Sequence, residues 1–323
     1  MKLVDFGNTG IKVSQLALGG HEFLEDGRSR GFNENAALAV TPGHLLQGFG
    51  GLVRQRLLHR AFDHGINLFD VTIDSEKEAL GRNLRQSPPP YEVYIQSRPE
   101  GFCYSYDEGN LKFLDYSLLK AEVARCIKLL RRDRIDFLNV GLLAWSVDRT
   151  SDYLERLSAN LARLKAEGLI AFAIADSFSG QRLYLRLIAS GAFDGINVDL
   201  SIGKPNATLE VMPAARRSGM GIICREVFFK GEIFRIGQEL GIENKAVMAN
   251  VAVGWAAQQN PDVMILGATD SAQLDANVRS LQANTGMDKE LVQRIRASAG
   301  FAAYARKRTA EFFERSLPLE QPP

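Results

Sequence analysis

Ionisable side chains follow several short apolar segments of this 323-residue chain, and together they could bind a polar substrate and move protons. The candidate catalytic set comprises Asp70, Arg98, Glu100, Asp176, Arg225 and Glu226. Carboxylates beside guanidinium groups suit general acid–base chemistry. Arg98 could grip a substrate carboxylate or phosphate through two parallel hydrogen bonds, and Glu100 is the candidate base. Structural ion pairs are the alternative interpretation, because clustered charges in a desolvated cavity are costly unless they are paired.

Three further residues are candidate proton donors. His21 is the histidine closest to the expected site, and Tyr104 and Tyr106 lie in a later loop. The competing interpretation of both tyrosines is a half-exposed loop aromatic. Glu76 lies in a helix start, where the helix dipole already accounts for an acid. The chain has no HxH or HExxH spacing, so we expect no metal site.

The elements that must position these residues alternate between short apolar segments and longer amphipathic ones, which indicates β/α units around a parallel sheet. We predict strands at 15–19, 67–71, 92–97, 135–140, 170–175, 195–200, 221–227 and 263–267. Eight such units predict a (β/α)₈ TIM barrel. Residues 3–6 and 11–13 flank the turn GNTG and predict an N-terminal β-hairpin. The stretch 288–315 predicts an extra C-terminal helix outside the barrel, so residues 1–323 form a single domain.

Two long segments without periodicity, residues 21–50 and 99–116, follow the first and third predicted strands. Loops of this length are usually functional or disordered. Because loops that follow barrel strands open on the carboxyl-terminal face, we expect both at the mouth where barrel sites are built.

The composition excludes several function classes. The chain has 39 Lys+Arg against 38 Asp+Glu, so nothing favours nucleic acid or an anionic membrane as a partner. No apolar run reaches the roughly 18–20 residues that span a bilayer, and the first residues lack a signal-peptide pattern. Three cysteines without metal spacing indicate reduced thiols. We therefore expect a cytoplasmic protein acting on a small molecule, with the oligomeric state left open.

Several motifs resemble the aldo-keto reductase superfamily in order and interval, from about residue 3 to 282. They are GNTGIKVSQLALGG, AFDHGINLFD, SEKEALGRNL, GLIAFAIADSFS and LGATDSAQLDANV. The resemblance implies a (β/α)₈ barrel with an N-terminal hairpin. It also implies NADP(H) as cofactor and carbonyl reduction by a tetrad of Asp, Tyr, Lys and His.

The chain departs from that tetrad at three positions. Asp70 matches the Asp, but VTID joins it directly to Ser75 without a tyrosine. Arg98 stands at the Lys position and Gly141 at the His position. An arginine stays protonated and cannot act as the same proton relay as lysine. Glycine has no imidazole, so the resemblance implies a divergent member with a degenerate tetrad.

The implied cofactor contacts are reduced as well. Four residues match the family pattern: Gly231, Gly267, Gln273 and Asn277. Ala175–Asp176 replaces the family's Ser-Asn pair, and Asn197 replaces a Gln. Thr269 and Asp270 supply no positive charge for a 2′-phosphate. The resemblance therefore implies that NADP(H) binding is possible but weakened, and we expect no other cofactor.

Three functions remain open. The first is acid–base chemistry of a lyase, isomerase or dehydratase type on a small polar or anionic, sugar-like substrate. The second is an atypical NADP(H)-dependent oxidoreductase with a rebuilt proton donor. The third is a non-catalytic binding or regulatory barrel. The fold by itself does not choose among them, because barrels host many chemistries.

Overall fold

Eight parallel strands close into a barrel in the computed structural model, which describes residues 1–24, 28–102, 107, 109–283 and 288–316, with side chains to residue 307. A two-stranded hairpin, β1 (Leu3–Asp5) and β2 (Lys12–Ser14), precedes them. The barrel strands are β3 (Leu16–Gly19), β4 (Leu68–Val71), β5 (Tyr94–Ser97), β6 (Ile135–Leu142), β7 (Ile170–Ser177), β8 (Gly195–Asp199), β9 (Gly221–Arg225) and β10 (Val263–Leu266). Each pairs with its sequence neighbours, and β10 closes the ring on β3. The predicted TIM barrel with its hairpin is confirmed.

Helices of the described residues follow the strands and pack around them. They are α1 (Ala36–Ala39), α2 (Leu52–Asp63), α3 (Asp74–Gln86), α4 (Tyr116–Leu130), α5 (Ala144–Arg149), α6 (Tyr153–Ala166), α7 (Gln181–Ala189), α8 (Val211–Arg217), α9 (Glu232–Glu239), α10 (Lys245–Gln258), α11 (Ser271–Gln282), α12 (Lys289–Ala297) and α13 (Ala299–Ser316). Apolar residues at helical spacing decide which face turns inward: Leu57, Leu58 and Ala61 of α2 are buried. Gly65 follows α2 with a left-handed backbone conformation (φ 72°), which ends the helix.

The predicted C-terminal helix is two helices, α12 and α13. The break lies at Ser298, whose extended backbone (φ −74°, ψ 152°) ends α12 and whose hydroxyl accepts a hydrogen bond from the Phe301 backbone at 3.1 Å. Tyr304 of α13 stacks on Phe229, with ring centroids 5.4 Å apart. This segment therefore lies outside the barrel, as predicted. Within the described ranges, no helix has both the length and the apolarity needed to cross a membrane.

The hairpin closes the amino-terminal end of the barrel. Phe6 is fully buried and its ring packs edge-to-face on Phe137, with centroids 5.0 Å apart. A Cβ on Gly221 would lie 2.4 Å from the Phe6 ring, so only glycine leaves room for it. Apolar side chains fill this end, which leaves the opposite, carboxyl-terminal end for polar groups.

The strand register places the inward-facing side chains in layers. Strand tilt staggers the register by about one residue per strand, so each layer takes residues from alternate strands. We call the set Gly19, Arg98, Asp176 and Arg225 the charged layer. Beneath it lie Asp70, Asn139, Asn197 and Ile265, and above it lies the upper layer of Thr72, Gly141, Asp199 and Gly267. The side chains therefore change from apolar to charged as the barrel approaches its mouth.

Candidate functional site

A histidine–carboxylate pair lies at the mouth of the barrel. His21 follows β3, and its Nδ1 lies 2.7 Å from Oε1 of Glu76 in the first turn of α3. Glu76 is buried, and its other oxygen accepts a hydrogen bond from the Thr72 backbone at 2.9 Å. The His21 side chain is 41% exposed, so a fixed carboxylate holds an accessible imidazole.

The loop after β3 can reach Glu76 because Gly20 has no side chain. A Cβ on Gly20 would lie 2.5 Å from the Asp70 carbonyl oxygen and 3.0 Å from Oε2 of Glu76. The backbone oxygen belongs to a barrel strand and has little freedom to move. Gly20 therefore allows the approach that brings His21 to its carboxylate.

The two partners shift each other's acidity in opposite directions. Burial lowers the pKa of His21, but the Glu76 carboxylate more than offsets it and leaves that pKa above its ordinary value. Burial raises the pKa of Glu76, but the charge and hydrogen bond of His21 leave it below its ordinary value. The pair therefore favours a protonated imidazole beside an ionised carboxylate.

Asp70 lies close to this pair. Gln96 on the neighbouring strand β5 donates a hydrogen bond from Nε2 to Oδ1 of Asp70 at 2.8 Å. Burial raises the pKa of Asp70, while the Gln96 hydrogen bond and the charge of His21 oppose that shift. Because His21 and Asp70 act on each other electrostatically, an acid and a base of altered strength share one end of the barrel.

The charged layer is tied together by Arg225. Its Nη2 donates to Asp176 at 2.8 Å, and its Nε donates to Asp199 at 2.8 Å. Asp176 is buried and also accepts from Tyr184 at 3.2 Å and from Asn139 at 3.3 Å. Burial lowers the pKa of Arg225, but the two carboxylates raise it well above its ordinary value. Asp176 and Arg225 therefore lie together as an extensively bonded ion pair.

Glu226 lies at the rim of the same end. Its carboxylate lies 3.2 Å from Nζ of Lys204 and 3.4 Å from Nζ of Lys230. Glu226 and Lys230 both have left-handed backbones, at φ 59° and 58°, which non-glycine residues adopt at an energetic cost. The loop after β9 is thus held in an unusual conformation beside the charged layer.

The placement predicted for Glu100 needs correction. The sequence makes Glu100 the candidate base, a role that requires its carboxylate to face the mouth of the barrel. Glu100–Phe102 instead form a 3₁₀ helix, and Glu100 has no exposed surface. Its Oε2 lies 3.3 Å from Nε of Arg98, and its charge acts on the fully buried Lys77. Glu100 therefore lies behind Arg98 and is not placed to take a proton from a substrate.

The residues matched to cofactor binding make hydrogen bonds within their own loop. Oε1 of Gln273 accepts from the Thr269 backbone at 3.0 Å, and Nδ2 of Asn277 donates to the Gly267 carbonyl at 3.2 Å. The Asp270 carboxylate caps α11 by accepting from the Gln273 backbone at 2.9 Å. Gly231, at φ 93°, starts α9. These bonds shape the loop after β10 and place a carboxylate at the N-terminus of α11.

Two predicted donors, Tyr104 and Tyr106, lie outside the described residues. Among the described residues, no group of three His, Cys, Asp or Glu side chains is arranged to hold a metal ion.

Sequence reasoning missed several residues of this site. Glu76 was assigned to the helix dipole, yet it is the partner of His21. Gln96, Asn139 and Asp199 also contact the predicted residues. All three lie at strand positions whose side chains point into the barrel, as those of Asp70 and Asp176 do. The alternation of inward and outward side chains along the predicted strands was therefore the available signal. Glu76 had no such signal, because its contact joins the first turn of α3 to the loop after β3, which is distant in the sequence.

Comparison with known families agrees with this architecture. The model of the Aldo/keto reductase family matches residues 53–299, which include β4 to β10. The chain belongs to the aldo/keto reductase family. A search of curated proteins returns no match. Members of this family commonly bind NADP(H).

Proposed function

We propose that this barrel catalyses acid–base chemistry of the lyase, isomerase or dehydratase type on a small polar or anionic molecule. One observation carries the proposal: the His21 imidazole, held at 2.7 Å by buried Glu76, lies at the mouth beside Asp70. A histidine with a raised pKa is a proton donor near neutral pH, and an ionised carboxylate is a proton acceptor.

The chemistry follows from the two titrating groups. In an elimination, the Asp70 carboxylate takes a proton from carbon, and the C–H electron pair forms the new double bond. The C–O bond breaks at the neighbouring carbon, and the departing hydroxyl takes a proton from the His21 imidazolium to leave as water. An isomerisation would use the same two groups, with the proton returned to a different atom. Glu76 positions the imidazole and stabilises its cationic form.

The binding residues support an anionic substrate. Arg98 lies in the charged layer and acts electrostatically on His21, so a carboxylate or phosphate bound by Arg98 would lie near the proton donor. The near balance of Lys+Arg and Asp+Glu over the chain supports a small-molecule substrate, with neither nucleic acid nor an anionic membrane as partner.

The residues present fit NADP(H) poorly. Asp176, at the position of the family's carboxamide contacts, already binds Arg225, Tyr184 and Asn139. The segment 267–278 contains no Lys or Arg, and Asp270 caps the helix where a 2′-phosphate would need positive charge. This arrangement supports a degenerate tetrad with weakened cofactor binding, and no step of the proposed mechanism uses the cofactor.

Deuterium exchange without cofactor tests the proposal. The full chain is incubated in D₂O with a panel of hydroxy acids and sugar acids, and the reaction is followed by NMR. We expect at least one of these compounds to exchange a C–H proton for deuterium or to release water. Asp70→Asn should abolish the exchange and His21→Gln the release of water, whereas His59→Gln should affect neither, since His59 is exposed on α2. If the protein reduces carbonyl compounds with NADPH and shows no exchange when NADPH is absent, the proposal is wrong and the oxidoreductase hypothesis replaces it.

The second candidate function, an NADP(H)-dependent oxidoreductase, is favoured by membership of the aldo/keto reductase family. In an atypical NADP(H)-dependent oxidoreductase, His21 would replace the missing tyrosine as proton donor. Activity in neither assay would favour the third hypothesis, a non-catalytic binding or regulatory barrel.

A further inference from the structure

A buried arginine lies behind the loop that carries His21. Arg54 belongs to α2, and only 7% of its surface is exposed. Its Nη2 donates a hydrogen bond to the carbonyl oxygen of Gly19 at 3.1 Å. Because Gly19 is the last residue of β3, Arg54 holds the point at which the strand passes into that loop.

The Arg54 guanidinium is a costly group to bury. Its Nη1 is buried and has no hydrogen-bond partner among the described residues. An arginine stays protonated, and a buried charge is unfavourable unless other charges compensate it. Burial lowers the pKa of Arg54, and the Glu22 and Glu76 carboxylates oppose that shift. An uncharged side chain could donate to the same carbonyl oxygen, so the hydrogen bond by itself does not account for a guanidinium here.

Glu76 is the carboxylate of the proposed site on which Arg54 acts. Gly20, the residue after the anchored carbonyl, lies against it, since a Cβ on Gly20 would be 3.0 Å from Oε2 of Glu76. Burial raises the pKa of Glu76, whereas the charge and hydrogen bond of His21 and, to a smaller extent, the charge of Arg54 lower it. Arg54 therefore supports the ionised form of the carboxylate that holds the imidazole.

A second carboxylate near Arg54 makes this support more important. Oε1 of Glu22 accepts a hydrogen bond from the Gly50 backbone at 2.6 Å. The like charges of Glu22 and Glu76 oppose each other's ionisation, and Arg54 acts on both with the opposite sign. The charged groups that act on Glu76 from the elements packed against it are His21 and Glu22 of the loop after β3, Asp70 of β4 and Arg54 of α2. Of these, Arg54 is the cation that keeps its charge at every working pH.

We propose that Arg54 is a positioning residue of this site: it anchors the end of β3 and keeps Glu76 charged, so that Glu76 holds the His21 imidazolium ready to donate its proton. This inference rests on the proposed function, in which His21 is the proton donor. A buried guanidinium neither takes up nor releases a proton, so Arg54 acts through Glu76. Because Asp70 takes the C–H proton in that mechanism, loss of the Arg54 charge should slow the departure of water and leave C–H exchange intact.

Three variants of Arg54 separate its charge from its hydrogen bond. Arg54→Gln keeps a donor and removes the charge, Arg54→Met removes both, and Arg54→Lys keeps the charge. The two uncharged variants should fold, because removal of a buried charge relieves its desolvation cost. The matched control is Arg56→Gln, which removes the same charge from an exposed position of α2.

NMR titration of Glu76 tests the role of the charge independently of any activity. The full chain carries ¹³C-labelled glutamate, and the resonance of Glu76 is assigned by its loss in Glu76→Gln. We expect Arg54→Gln and Arg54→Met to raise the pKa of Glu76, and Arg54→Lys and Arg56→Gln to leave it unchanged. The inference is overturned if neither uncharged variant changes the titration of Glu76, or if Arg56→Gln changes it equally. Either uncharged variant is sufficient if the other does not fold.

Kinetics with a compound that the protein dehydrates provide a second test. Arg54→Gln should lower kcat for the release of water about 10²-fold, the loss that a misplaced catalytic group causes, with KM and C–H exchange unchanged. Arg54→Lys should recover most of that loss. An equal loss of water release and of exchange, or no recovery in Arg54→Lys, would show that Arg54 supports only the fold. If no compound reacts, the proposed function fails, whereas the titration of Glu76 still decides the role of Arg54.

Discussion

At the scale of single residues, the contact between His21 and Glu76 gives both residues a role that their positions in the sequence do not indicate. Glu76 is a helix-start acid by position, yet its carboxylate lies 2.7 Å from His21 and turns a loop histidine into an oriented imidazole. Glu100 is a free carboxylate by position, yet it lies fully buried against Arg98. In both cases the neighbour across space determines the chemistry of the group.

The His21–Glu76 pair predicts a pH window for stability. The pKa of His21 is raised from 6.5, so its contribution is complete below that value and is lost as the pH rises through the raised pKa. The pKa of Glu76 is lowered from 4.5, so its contribution is present above that value and is lost as the pH falls through the lowered pKa. Stabilisation by the pair should therefore be greatest between pH 4.5 and 6.5, and it should decline as the pH moves outward from this range through either folded-state pKa.

Two measurements test this prediction. Urea unfolding gives the free energy of unfolding of the protein and of Glu76→Gln across this pH range, and NMR titration gives the pKa of His21 in both. We expect Glu76→Gln to lower the pKa of His21 and to remove the pH dependence that the pair contributes. An unchanged His21 titration in Glu76→Gln would show that the two groups do not interact in solution.

The Arg225 pair gives a prediction about buried charge. Arg225→Met leaves the Asp176 carboxylate buried without its main partner, which should destabilise the fold by about 3–5 kcal/mol. The double variant with Asp176→Asn should recover much of that loss, because the uncompensated charge is gone. Chemical denaturation of the two single variants and the double variant measures the coupling, and additive effects would argue against the pair.

At the scale of elements, glycines decide how closely the loops approach the barrel. Gly20→Ala should destabilise the protein by about 1–3 kcal/mol, because its Cβ would meet a strand carbonyl oxygen at 2.5 Å. The matched control is Gly254→Ala within α10, where a Cβ meets nothing within 4 Å and helix propensity favours alanine by about 0.5–1 kcal/mol.

Thermal unfolding and the His21 NMR signal check this pair of variants. Gly20→Ala should also shift the His21 resonance, because the loop can no longer approach Glu76. Equal effects of the two substitutions would show that the close approach at Gly20 has no structural importance.

At the scale of the whole molecule, the chain keeps the family barrel, and the proposed function gives its mouth a different set of groups. We expect little reduction of simple aldehydes with NADPH, because loss of general acid catalysis alone costs roughly 10²–10⁴-fold in rate. Calorimetric titration with NADPH and NADH should likewise give no tight binding. Tight binding together with ordinary turnover of aldehydes would show that His21 or another group fully replaces the missing tyrosine.

The sequence by itself determined the barrel, its eight strands and the hairpin, because hydrophobic periodicity and glycine stops are local properties of the chain. It also located Asp70, Arg98, Asp176 and Arg225 at the strand ends, since strand alternation and strand ends can be read along one segment. The helix break at Ser298 was missed, because a serine hydroxyl that caps a following helix resembles an ordinary surface residue.

Tertiary structure alone decided which of these groups meet. The pairing of His21 with Glu76 joins a loop residue to a helix residue 55 positions later, and it depends on the room left at Gly20. The seat of Phe178 over Gly141 depends on the register of β6 with β7. Pairing across space sets both the pKa of an ionisable group and the room around a glycine, and neither is a property of the local sequence.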